Sequence, residues 1–288
     1  MNCFLTDIPA AEYHADDIGA PRVTLSASIA HEIVAKSPLH AWMRHPKLGN
    51  GPRESTTAMD RGTRIHALVL GTPLELSVIL ADDYRTKAAQ AQRDAAREQG
   101  LIPILARELD EDSEAARCIV EQLKAKGVVL PGNKEAVAVW EESATGVPVL
   151  CRGMMDHVDS QYIDDLKTCA SAHPDKLARR CTEYGYHIQA AAYLSAIGKI
   201  HPSLAGRIRF RWLFAEILDT AGTKLPRAIV TVAHPSGAML ELGAALWQRA
   251  IDTWSRCLAE DRWPGYAESE AALDPPPWAM RELVEVNS

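Results

Sequence analysis

Apolar positions along this chain change period twice, and those changes mark out its elements. From Ile29 to Arg44 they recur at near-helical spacing, interrupted around Ser37-Pro38, with Ser26 or Ser28 as candidate caps. Thr56 or Thr57 can cap a second helical stretch, which carries His66 and ends at Gly71-Thr72-Pro73. Residues 82–98 are polar and Ala-rich, as in an exposed helix, and 106–126 repeats the helical period up to Gly127. The period then falls to two. Residues 135–142 alternate, Ala144-Thr145-Gly146 turns the chain, and strands at 147–159 and 162–168 flank the tight turn Ser160-Gln161. Strands joined this closely form an antiparallel meander. Helical spacing returns over 175–199, where Leu177, Cys181, Tyr184, Ile188 and Ala191 step by four and three. Strands at 207–217 and 227–233 surround a turn at 219–222, and 236–262 is a final long helix.

Residues 1–24, with Pro9, Gly19 and Pro21, read as an extended lead-in, Pro46–Glu54 as a loop, and 271–288 as a Pro-rich tail. No repeat or linker divides the rest, so 25–270 is expected to be a single domain. Helices, three strands, a helix, two strands and a helix imply an α/β fold. The expected architecture is a central mixed β-sheet flanked by helices, with an N-terminal helical elaboration.

Composition narrows the class without naming a function. With 288 residues, 47% hydrophobic and 24% charged, the chain has ordinary globular usage. No apolar run approaches the ~20 residues of a membrane helix, and Met1–Asp7 lacks the layout of a secretory signal, so no membrane association and a cytoplasmic location are expected. Six scattered cysteines without a C-x-x-C pair argue against a zinc ribbon, an iron–sulphur cluster or a disulfide framework. The formal charge of -7 is unlike that of a pure phosphate binder. A bound divalent ion brings its own positive charge, so the sign decides nothing about a DNA substrate. No G-x-x-x-x-G-K-[ST] loop is present, and ATP is not implied.

The chemistry concentrates between Cys151 and Thr168, in Cys-Arg-Gly-Met-Met-Asp156 and Asp164-Asp165-Leu166-Lys167. Alternation puts Ile163, Asp165 and Lys167 on one face of a strand and Asp164 and Leu166 on the other. Asp156 lies on the hairpin partner. Two such acids can hold a hard cation through oxygen ligands, and a neighbouring lysine can position water and offset charge at phosphorus. The plain alternative is a solvated salt bridge. Asp159 and Asp164 read as turn and solvent carboxylates. Tyr186, Gln189 and Tyr193 fall at i, i+3 and i+7, opposite the apolar stripe, with Arg179 upstream on the same face. Such a stripe suits a groove for a phosphate backbone, or ordinary packing. Arg207, Arg209 and Arg211 share one strand face, either a phosphate track or a solvated edge.

The order of these pieces resembles a known superfamily. Gly-Thr-Arg-Ile-His66, Glu135 in a strand, Cys-Arg-Gly-Met-Met-Asp156, Asp165-Leu-Lys167-Thr168 and Tyr186-His-Ile-Gln189-Ala-Ala-Ala-Tyr193 look like the PD-(D/E)XK nucleases. Within them the chain is most similar to the exonuclease VIII (RecE) type of phages and prophages. Leu25-Ser-Ala-Ser-Ile-Ala-His and Ser37-Pro-Leu-His-Ala-Trp42 also resemble that group's first helix, so the likeness runs from about residue 25 to 260.

The resemblance implies a restriction-endonuclease-like core. It makes Asp156, Asp165 and Lys167 catalytic, and Asp156, Asp165, the Leu166 carbonyl and His66 metal ligands. Glu135 would hold a second metal, with Glu141 as its rival. Gln189 and Tyr193, with Tyr186 and Arg179, would line the DNA groove. The implied cofactor is Mg2+, with Mn2+ able to substitute. The implied activity is 5′-to-3′ digestion of linear duplex DNA in phage-type recombination, with a single-strand annealing partner and a ring-shaped homo-oligomer. Two other readings stay open: a catalytically inactive module that only grips DNA, and an endonuclease of the same fold. Met154 and Met155 stand where relatives often carry polar or basic residues, and the cysteine set of iron–sulphur nucleases is missing.

Overall fold

The computed structural model describes residues 2–6, 8–49, 57–220, 223, 225–266, 270 and 272–276. In chain order the elements are β1 (Cys3–Leu5), α1 (Ala10–His14), β2 (Leu25–Ser26), α2 (Ala27–Ala35), α3 (Pro38–Arg44), α4 (Thr57–Leu70) and β3 (Leu76–Ile79). Then come α5 (Lys87–Glu98), β4 (Ile102–Leu105), α6 (Ala106–Ala125), β5 (Asn133–Glu142), β6 (Val149–Val158) and β7 (Tyr162–Cys169). The chain continues through α7 (Pro174–Glu183), α8 (Tyr186–Ile200), β8 (Arg209–Ile217), β9 (Ala228–Ala233) and α9 (Gly237–Glu260).

Among the described residues seven strands form one mixed sheet, in the order β1-β5-β6-β7-β8-β9, with β2 paired to β6. The meander β5–β6–β7 is antiparallel as the short turns require, whereas β7 and β8 run parallel because the α7–α8 crossover carries the chain back across the sheet. Helices cover both faces. On one, Trp140, Met155, Phe210 and Phe214 pack against Ile29 and Ile33 of α2, Ile188 and Ile197 of α8, and Trp247 and Trp254 of α9. On the other, Leu166, Leu213 and Val230 meet Ile65 and Val69 of α4 and Ile119 and Leu123 of α6.

Residues 1–24, read as an extended lead-in, contribute the edge strand β1 and the short helix α1. Tyr13 and Ile18 pack on Val137, Val139 and Leu150 of the sheet. The tie is also polar: buried Asp16 pairs with Arg152 of β6 at 2.9 Å and accepts from Thr24 Oγ1 at 2.5 Å. Strands β1, β2 and the separate parallel pair β3–β4 escaped the periodicity, being two to four residues long. The break at Ser37 is real, and Ser37 caps α3. Thr56 and the later part of the Pro46–Glu54 loop lie outside the described residues. All six cysteines are free.

The expected helix over 175–199 is two helices. It breaks at Gly185, whose φ is +72°. A Cβ there would also stand 2.6 Å from the His31 ring, so position and conformation both call for glycine. The break rotates each helix into its own register. Leu177, Cys181, Ile188 and Ala191 remain buried, but Tyr184, placed by periodicity in the apolar stripe, is 56% exposed.

Two further corrections follow from helices on both faces of the sheet. Asp164 is not a solvent carboxylate: it is buried and grips Arg211, Nε at 2.5 Å and Nη2 at 2.9 Å. The Arg207–Arg209–Arg211 track therefore loses its last member, because Arg211 is committed to Asp164 and to the Tyr162 ring 3.6 Å away. Asp159 is a turn residue, accepting from the backbone N–H groups of Gln161 and Tyr162.

Candidate active site

Strands β6 and β7 pair only at His157–Asp164 and Val158–Ile163, then part. Continued, the register would set Asp156 opposite Asp165. Instead Asp156 Oδ2 reaches across and accepts from the Leu166 N–H at 2.7 Å. A strand residue points its N–H and C=O to the same edge, so the Leu166 carbonyl also faces the opening. Strand β8 holds the other edge of β7 from Tyr162 to Cys169, so β7 cannot slide toward β6 to close the gap.

Asp165 is fully buried at this opening. Lys167 Nζ lies 2.8 Å from each of its carboxylate oxygens. Oδ1 accepts from that ammonium and from Gln189 Nε2 at 2.9 Å. Oδ2, although close to the same charge, has no aligned donor and is left as an unsatisfied buried oxygen. Burial raises the Asp165 pKa to about 6, Lys167 pulling it down and the charge of Asp156 pushing it up. Burial would lower the Lys167 pKa, but Asp165 and Asp156 outweigh it and hold the side chain as an ammonium above its usual range.

His66, carried in by α4, places Nε2 2.8 Å from Asp156 Oδ2 and Nδ1 3.8 Å from Glu135 Oε1. Burial opposes its protonation, yet the Asp156 carboxylate more than compensates and raises its pKa. Burial likewise tends to raise Asp156, but His66, Lys167 and the Leu166 N–H bring it below the ordinary carboxylate range. Glu135 sits in β5 with φ +49°, a left-handed conformation in a non-glycine residue. Its neighbours pair in register, Lys134 with His157 and Ala136 with Met155, while the Glu135–Asp156 pair alone is missing from that ladder. Backbone strain of this kind gathers where a side chain must be aimed. Glu141, its rival, is engaged with Arg22 at 2.8 Å, toward the other end of β5.

The structure thus brings Asp156, Asp165, Lys167, His66, Glu135 and Gln189 together. The other expected groove residues divide. Tyr193 is buried, and its hydroxyl donates to the Met154 carbonyl at 2.7 Å. A Cβ on Gly153 would meet its ring at 2.6 Å. Tyr193 therefore braces β6 two residues before Asp156 instead of lining a groove. Tyr186 sets its ring 5.1 Å from Lys167 Nζ. Arg179 lies on α7, exposed and paired with Glu183 at 2.6 Å. The shared face with Tyr186 required one straight helix, which Gly185 interrupts.

One supporting network escaped the sequence reading. His157 bridges Asp164 Oδ2 at 2.9 Å and the Pro131 carbonyl at 2.6 Å, so Arg211, Asp164 and His157 clamp the last ladder pair before the strands part. The doublet Asp164-Asp165 was its only trace: on a strand covered on both faces, the second acid must also find a buried partner.

The donors at the opening suit a small, hard divalent cation: an unsatisfied buried carboxylate oxygen on Asp165, the Asp156 carboxylate, an inward carbonyl and an imidazole. Among the described residues no three His, Cys, Asp or Glu side chains form a ready-made cluster. Lys167 balances one acid and His66 the other.

A mixed sheet with helices on both faces, a parting hairpin and an acid-x-lysine strand define the restriction-endonuclease-like, PD-(D/E)XK class. The chain belongs to the family described as a PDDEXK-like domain of unknown function (DUF3799), which its residues 34–274 match. No curated protein matches it. Among solved structures, a protein from Eubacterium rectale, provisionally described as an exonuclease, superposes with a TM-score of 0.57 at 13% identity, covering 96% of this chain and 98% of the other. A phage-related exonuclease from Haemophilus somnus 129PT gives a TM-score of 0.31 at 17% identity, over 69% of this chain and 96% of the other.

Proposed function

We propose that this chain is a divalent-metal-dependent deoxyribonuclease that hydrolyses phosphodiester bonds at the opening between β6 and β7. The observation that carries the reading is the buried Asp165–Lys167 pair, with its unsatisfied carboxylate oxygen, set against Asp156 and the Leu166 carbonyl. A solvated salt bridge, the alternative for this motif, would be exposed on a strand face. Here the acid is wholly buried and the lysine four-fifths buried.

Asp156, Asp165, the Leu166 carbonyl and His66 would hold Mg2+ or Mn2+, with Glu135 beside His66. A bound cation of this kind polarises a phosphoryl oxygen and lowers the pKa of water. The protein's own contribution is positional. Lys167, an ammonium held by two carboxylates, offers hydrogen bonds and positive charge beside Asp165, where charge develops on the phosphate in the transition state. Gln189 fixes the Asp165 carboxylate, and Tyr193 fixes the β6 backbone near Asp156. Binding alone needs no buried acids, which favours an enzyme over a module that only grips DNA.

The finer reading is an exonuclease acting 5′-to-3′ on linear duplex DNA, as a ring-forming homo-oligomer that hands single strands to an annealing protein. It is supported by the family-like motif order alone. Digestion of linear and covalently closed circular duplex with Mg2+ tests it, comparing wild type with Lys167→Ala. Loss of the linear form only, reduced at least ~100-fold in the variant, is expected. Cutting of the closed circle would make the chain an endonuclease. DNA binding without cleavage in either metal would leave the gripping module.

A further inference from the structure

On a straight helix, residues two apart point away from each other. Tyr184 and Tyr186 nevertheless stack, ring centroids 5.8 Å apart and planes inclined by 26°. The left-handed Gly185 between them makes this possible, since Tyr184 closes α7 and Tyr186 opens α8. The packing of Gly185 against His31 holds the junction in place.

The stack has a direction. Its inner end is Tyr186, half-buried, partly packed on Phe214 and lying beside the Lys167 ammonium. Its outer end is Tyr184, more than half exposed, with the Arg180 guanidinium 5.1 Å from its ring centroid. An ordered row of ammonium, phenol, phenol and guanidinium therefore runs from the candidate active site to the surface. Packing does not account for its outer half, because Tyr184 leaves more than half its surface in water. A large aromatic ring, held rigid and flanked by a planar cation, is the group on which an unpaired nucleobase stacks without regard to sequence.

Resting on the nuclease reading above, we propose that Tyr184 forms a stacking subsite for one unpaired nucleobase of the DNA strand whose phosphate lies at Asp165 and Lys167, the base taking the outer ring face in place of the Arg180 guanidinium. Bases within a duplex offer no free face. A subsite of this kind engages a base released at a frayed or resected end, and it holds the strand in register with the reacting phosphate.

The test couples protein and substrate. Cleavage of linear duplexes is measured for wild type, Tyr184→Ala and Tyr184→Phe. An abasic nucleotide is placed in turn at each of the first four positions from the end of either strand. Tyr184→Ala is expected to raise KM about tenfold with kcat changed less than twofold, the size of one base–aromatic stack. Tyr184→Phe should restore KM. At one position the abasic substitution should cost wild type the same factor and cost Tyr184→Ala nothing further, because both remove the same contact. Losses that add at every position, or a Tyr184→Ala variant indistinguishable from wild type, overturn the subsite and leave the nuclease standing. A wild type that neither binds nor cleaves DNA overturns both.

Discussion

Asp165 offers a perturbation whose size follows from its surroundings. Its carboxyl titrates near 6 in the fold, against ~3.9 in an unfolded chain. The folded state therefore disfavours the ionised form, and the sign follows: relative stability is fully present below the unfolded pKa and is lost as pH rises through about 6. Two pKa units at ~1.4 kcal/mol each make the cost about 3 kcal/mol above pH 7. Asparagine keeps the shape and the acceptor for Gln189 while removing the charge. Without divalent metal, Asp165→Asn should then be more stable than wild type by about 3 kcal/mol at pH 8, about half that at pH 5 and only a small fraction of it at pH 4. Urea unfolding in EDTA, followed by the fluorescence of buried Trp140 and Trp254, measures the gap. Titrating groups away from the site are common to both proteins, and their contributions cancel. Addition of Mg2+ should narrow the gap, since wild type gains ~2.7 kcal/mol at a hundredfold excess over Kd and the variant, short of one ligand charge, gains less. An asparagine variant no more stable than wild type at pH 8, or a gap that stays constant from pH 8 to pH 4, would refute the reasoning about this site.

Other consequences are simpler. Gly185→Ala should cost about 2 kcal/mol or more in urea unfolding, from the left-handed backbone together with the contact to His31. Arg211→Met leaves Asp164 buried with one partner fewer, and about 3–5 kcal/mol of stability should be lost; the same urea titration reads it. Glu135→Gly should relieve its left-handed strain, gaining about 1 kcal/mol of stability. Its Mg2+ affinity, measured by calorimetry, should fall at the same time.

Much of the site was legible in the chain because its logic is local. Asp165 and Lys167 lie two apart on a strand, so alternation alone puts them on one face, and the tight turn at Ser160-Gln161 brings Asp156 within reach. Gln189 could be placed because it stands four residues into α8, past the break. What failed had non-local causes. Arg179 was aligned with Tyr186 along a helix that Gly185 divides, and the same error buried Tyr184 when it is exposed. Tyr193 was placed in a groove although its ring fills the space left by Gly153, a contact that no spacing reveals.

The sequence by itself determined five of the seven strands of the main sheet, the acid-x-lysine strand and the family resemblance. These follow from period, turn chemistry and motif order, properties of neighbouring residues. Tertiary structure alone decided which carboxylate is fully paired and which keeps an unsatisfied oxygen. Asp164 and Asp165 are adjacent and chemically identical. One faces Arg211 and His157, which satisfy it; the other faces Lys167 and a gap in the ladder, which leave an oxygen free. The difference lies in what the rest of the fold packs against each face. A charge in the interior takes its character from the partners brought to it, and those partners come from strands and helices distant in the chain.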